Sequence, residues 1–123
     1  EMMERAVFFS EKKAAKYEII VAHWTAPTMD SDFIWQLVHS DELGAANSSR
    51  INNPELDKQL EIARSSFDLE TRTEAYRKAC QIIQDEAYFV PLYTFVAPCA
   101  ANKDLKGVKA NSLYKFYVTD WSW

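Results

Sequence analysis

Four side chains in this 123-residue sequence could carry metal or thiol chemistry: His23, His39, Cys80 and Cys99. Their spacing supports neither. Two distant histidines and two distant cysteines match no recognised ligand pattern, so a metal role is not expected for His23 or His39. Cys80 falls on an apolar helical stripe and Cys99 follows Pro98, so both are expected to be buried as small hydrophobes. A single bridge between them remains an alternative. The sequence has no glycine-rich phosphate loop, no serine or cysteine nucleophile signature and no HExxH zinc helix. No catalytic residue, metal ligand or cofactor is expected, and the chain does not read as an enzyme. The residues best placed for binding are Trp24 and Thr25. They close a run, Tyr17 to Trp24, whose centre Ile19-Ile20-Val21 is apolar on both faces, as in a buried strand. Ligands of open α/β sheets bind beyond the carboxyl ends of their strands, which makes Trp24 a candidate contact. Asp30 and Asp32 follow a turn around Pro27; they could meet a ligand amine, but capping the next helix competes for them.

The elements around these residues are readable. Glu1 to Lys16 has an approximate helical face of Met3, Ala6, Val7, Phe9 and Ala14. Asp30 or Ser31 can cap a short helix through Phe33, Trp35, Leu37 and Val38. Ser40 to Asn53 is a polar loop. Asn53-Pro54 is a strong helix start, because Asn accepts from free backbone N–H groups and Pro needs no donor in a first turn. Leu56, Leu60 and Ala63 share a face of that helix. Asp68 should cap the next, whose stripe is Tyr76, Ala79, Cys80, Ile83 and Ala87. Asp68–Arg72 and Glu74–Lys78 stand at i,i+4 with the acid first. Pro54–Arg64 and Leu69–Ala87 therefore predict an antiparallel helical hairpin. Phe89 to Ala97 reads as a strand, Lys103 to Lys109 as a turn around Gly107, and Tyr114 to Val118 as a last strand. A helix followed by a buried strand suggests an α/β layer.

Composition sets the outer bounds. Apolar residues make up 48% of the chain and the net charge is -4, which fits one globular domain over residues 1–123. There is no basic stripe with interleaved aromatics, so nucleic acid is not an expected partner. Apolar runs such as Ile19 to Ala22 are far too short to span a bilayer. No signal peptide is visible at Glu1-Met2-Met3-Glu4-Arg5.

An ordered set of motifs points further. Tyr17-Glu-Ile-Ile-Val-Ala-His-Trp24 precedes the Asp-containing loop Thr25 to Asp32. Asn47, Ile51 and Asn53-Pro54 follow at fixed spacing, then Asp57, Asp68 to Tyr76, Val90-Pro91-Leu92-Tyr93 and Lys106-Gly107-Val108. The set resembles the extracytoplasmic solute-binding proteins of family 5, the dipeptide, oligopeptide and nickel class that feeds ABC importers. Ile51 stands where the family usually has Tyr. Pro27 stands where many peptide-binding members have an Asp for the peptide amine, which puts an ordinary amine site in doubt.

The resemblance implies a fragment of a larger protein. It would be the C-terminal part of the second lobe of a two-lobed α/β fold of the periplasmic-binding-protein type (type II). The expected function is capture of peptides or a similar solute and delivery to a membrane permease. The expected location is periplasmic or extracytoplasmic, with any signal peptide upstream. Trp24, Thr25 and Asp30 are the expected substrate contacts. The alternative is a protein-interaction module built on the helical hairpin, with no small ligand. Exposed apolar residues from Leu113 to Trp123 further suggest that such a fragment self-associates.

Overall fold

The computed structural model describes residues 3–94, 98–109 and 117–123. Residues 3–24 with 30–90 form one compact unit, and 25–29 with the described residues from 91 onward form a second. The first is helical: α1 (Arg5–Ala14), α2 (Ile34–Val38), α3 (Pro54–Ser65) and α4 (Leu69–Asp85).

The α3–α4 hairpin forms where the sequence places it. The Asn53 side chain accepts from the backbone N–H groups of Glu55 and Leu56, with Pro54 in the first turn. The Asp68 carboxylate accepts from the Thr71 N–H and hydroxyl, and these bonds lower its pKa, the side-chain bond first. Asn53 Nδ2 donates to the Tyr88 hydroxyl just beyond α4, so the start of one helix meets the end of the other and the pair runs antiparallel. Leu56 and Leu60 pack with Ala79 and Ile83, Val38 and Ile51 complete the core, and Ala63 is buried on the same face of α3. Ile34, Trp35 and Leu37 of α2 pack onto it.

The loop before α3 is held by one side chain. Asn47 is fully buried. Its Nδ2 donates to the carbonyls of His39 and Ile51, and its Oδ1 accepts from the Ile51 N–H. A single amide thus replaces the ladder that a strand would supply, and seats Ile51 in the core. The Asn47…Ile51…Asn53-Pro54 motif is therefore a folding device: an internal staple followed by a helix cap.

Several expectations need correction. Tyr17 to Trp24 is not a buried strand: Ile19 and Val21 are 86% and 72% exposed, and the described residues contain two isolated bridges and no sheet. An apolar run becomes a strand only when neighbouring chain supplies ladder hydrogen bonds, and no described residue pairs with it. Residues 89–94 form no ladder either, while 95–97 lie outside the described residues. Of the expected last strand, 114–116 lie outside them too, and Val118 opens a 3-10 turn.

Cys80 and Cys99 are exposed free thiols. Cys80 sits about 100° around the helix from Ala79, past the edge of the arc that Ala75, Tyr76, Ala79 and Ile83 bury. In α1 the anticipated apolar face, Met3, Val7 and Phe9, points outward, and Lys12 is the buried residue. Arg72 does not pair with Asp68; it reaches Asp30 instead. In the second unit, Gly107 adopts φ +77°, and a Cβ there would collide with the Asp120 carbonyl, so only glycine fits beside the Lys106–Ser122 bridge.

Candidate functional site: the Trp24 wall

The expected ligand wall lies where the chain enters α2. Asp30 caps the 3-10 turn Ser31–Phe33 by accepting from the Asp32 N–H at 2.8 Å. The same carboxylate takes Nη2 of Arg72 from α4, 2.8 Å from both oxygens. Asp32 receives Nε and Nη2 of Arg64 from α3 at 2.8 and 2.9 Å, a two-pronged guanidinium–carboxylate pair. Two arginines of the hairpin thus hold the N-cap and the middle residue of a three-residue turn. The Arg64 hydrogen bond holds the Asp32 carboxyl below its ordinary range, against the opposing effect of burial. The same pairing raises the Arg64 guanidinium. Nearby, burial and then the Asp32 charge push the Tyr76 phenol up.

The clamp continues into a stack. The Arg64 guanidinium lies 3.7 Å from the centre of the Trp35 ring, and Trp35 stacks on His39 at 3.5 Å with only 11° between planes. His39 is buried; its Nδ1 accepts from the Asp41 N–H, and its Nε2 points between Asp57 and Glu61 at 3.9 and 3.8 Å without a hydrogen bond. Asp57 itself accepts from the Ser40 N–H, closing the C-terminus of α2 against α3. His39 is thus a core spacer. Among the described residues no group of three or more His, Cys, Asp or Glu side chains is placed to hold a metal ion.

Trp24 is positioned by this scaffold. Its ring meets Phe33 edge-to-face at 6.0 Å, and Phe33 ends the clamped turn. The Lys12 ammonium lies 4.4 Å over the Trp24 ring. Trp24 nevertheless remains 46% exposed, an indole fixed on two sides with a large surface open. Asp30 stands in the same unit with its carboxylate committed to the cap and to Arg72. Thr25 is exposed and belongs to the second unit, with Pro27 two residues on. Sequence reading missed Lys12, Arg64 and Arg72. The signal for the arginines was two acids in a short loop ahead of a helix pair carrying Arg64, to which the sequence reading gives no partner, and Arg72, which the i,i+4 spacing pairs with Asp68.

No protein-family model matches the chain. Individual curated proteins do. The periplasmic oligopeptide-binding protein OppA of Haemophilus influenzae is 26% identical over 107 residues, 87% of this chain and 19% of the relative. The protein named Probable D,D-dipeptide-binding periplasmic protein DdpA of Escherichia coli is 32% identical over 99 residues, 79% of this chain and 19% of the relative. The chain belongs to the family 5 solute-binding proteins. It spans about a fifth of the length of these curated relatives. Another match, heme-binding protein A of H. influenzae, is 29% identical over 85 residues, 68% of this chain and 16% of the relative. The names of these relatives span peptide and heme, so membership in the family does not fix the solute. No helix among the described residues is long and apolar enough to cross a membrane.

Proposed function

We propose that the chain is part of the substrate-binding component of an ABC importer, which captures peptides or a similar small solute outside the cytoplasm and delivers it to a membrane permease. The observation that carries this reading is the Trp24 wall: a half-exposed indole held by Phe33 and Lys12 on a turn clamped by two arginines, in a chain whose curated relatives are named for peptide binding. The role is capture and transfer, with no bond made or broken.

In this reading the stretch contributes one wall of a two-walled cleft in the second lobe, toward the C-terminal end of the larger fold. Trp24 stacks on the solute, and Thr25 offers it a hydroxyl. Asp30 sets the wall's geometry through Arg72 and presents what charge Arg72 leaves to the ligand. Pro27, which has neither charge nor N–H, means that a peptide amine is not held here by the usual acid. Contacts made only with the lobes closed would shift the open–closed equilibrium on binding. The test is a thermal shift of the full-length protein with di- to pentapeptides. A saturable rise in melting temperature is expected, and about 2.7 kcal/mol of stabilisation at a hundredfold excess over Kd. No shift with any peptide or other small solute would favour an interaction module built on the hairpin.

A further inference from the structure

Lys12 is out of place for a lysine. It is the buried residue of α1, only 8% exposed, and its burial lowers its pKa. It makes no ion pair with any described acid; its ammonium rests on the Trp24 ring. Burying an ammonium without a counter-ion is unfavourable, and an aromatic face offsets only part of that cost. Two more cations, Lys13 and Arg50, border the same shallow hollow, together with Gly44, Ala45, Asn47 and Ser48. Neither has an acidic partner among the described residues. The floor of the hollow is rigid, because Asn47 is fully buried and bonded through both ends of its amide. The Tyr17 hydroxyl, donating to the Ser48 carbonyl, ties the segment after α1 to the same loop. The hollow has room for about one water-sized group, which excludes the body of a peptide and admits the tip of an anion.

We propose that Lys12, Lys13 and Arg50 form a receptor for a small oxyanion, a carboxylate or a phosphate, seated against the Gly44–Ser48 loop. Lys12 supplies a partly desolvated charge on its wall. Arg50 and Lys13 supply solvent-facing charges at the rim. The proposal concerns this unit alone and holds whatever solute the protein carries.

The test uses this chain, labelled with 15N and titrated with acetate and with inorganic phosphate against chloride at matched ionic strength. Saturable shifts of the Gly44, Ala45 and Ser48 amides are expected in the millimolar range. Lys12→Met should weaken binding at least tenfold, and without anion should melt no lower than wild type, since it removes a partly desolvated charge that has no acidic partner. Arg50→Asn, at an exposed position with φ +55° that Asn tolerates, should weaken binding severalfold and guards against a Lys12 variant that fails to fold. Tighter binding of phosphate identifies a phosphate group, and saturation by acetate alone identifies a carboxylate; either supports the site. Shifts equal to those with chloride, or unchanged affinity in both variants, overturn it.

Discussion

Replacing Asn47 with Ala should be among the most damaging single changes in the loop before α3, although the residue touches no candidate ligand contact. The side chain is fully buried and makes three hydrogen bonds. Of its partners, the His39 carbonyl keeps a second bond from the Glu42 N–H. The Ile51 N–H and carbonyl have no other hydrogen bond among the described residues and lose these. A buried polar group left without a partner costs about 1–3 kcal/mol, so two such groups give a loss of roughly 2–6 kcal/mol. Water entering the vacated space would pull the result toward the lower end. For a unit of this size each kcal/mol lowers Tm by about 4–8 °C, so a fall of at least ~10 °C is expected. Urea unfolding followed by circular dichroism measures the difference directly, with an unchanged m-value showing that the unfolded state is not the cause. Asn47→Asp keeps the acceptor for the Ile51 N–H but turns a carboxylate toward two carbonyls, and should cost at least as much. A loss below about 1 kcal/mol for Asn47→Ala would refute the staple reading.

Three further outcomes follow from the packing and the charge pairs. Leu60→Ala, at a position 1% exposed between the hairpin helices, should cost about 2–5 kcal/mol in urea unfolding, and a loss under 1 kcal/mol would mean the hairpin core is not close-packed. Because Asp32 is held below the ordinary carboxylate range chiefly by Arg64, its contribution is complete above that range and is lost as pH falls through the depressed value. Wild type should therefore lose stability relative to Arg64→Met as pH falls below the ordinary carboxylate range, and parallel profiles would show that the pair is screened. At about 100 μM this chain should self-associate in sedimentation equilibrium, since Tyr117, Val118 and Trp123 are all exposed, and a clean monomer would show that these apolar side chains are too dispersed to drive association.

The parts of the fold that were legible in the sequence are those fixed by local chemistry. Asn53-Pro54 and Asp68 cap their helices because the bonds involved span two or three residues. The Leu56–Leu60–Ala63 face follows from helical period alone. The parts that were not legible depend on distant chain. Ile19 to Val21 is apolar enough for a central strand, but a strand is a relation between segments, and no described segment pairs with it. The i,i+4 spacing pairs Arg72 with Asp68, yet Asp30 holds it from 42 residues away, while the Asp68 carboxylate is taken up by the Thr71 N–H and hydroxyl at its own cap. Lys12 reads as a solvated lysine in any helical-wheel argument. Only the packing of α1 shows it turned inward over Trp24.

The account rests most heavily on Trp24 as a solute contact on a wall that the hairpin arginines hold in place. The measurement that tests it most directly is calorimetric titration of the full-length protein, wild type and Trp24→Ala, with the peptide that gives the largest thermal shift. An aromatic side chain buried in a binding site typically carries 2 kcal/mol or more, so Trp24→Ala should weaken binding by roughly thirtyfold while the ligand-free melting temperature changes little. Unchanged affinity in a folded variant would contradict the account and place the solute elsewhere.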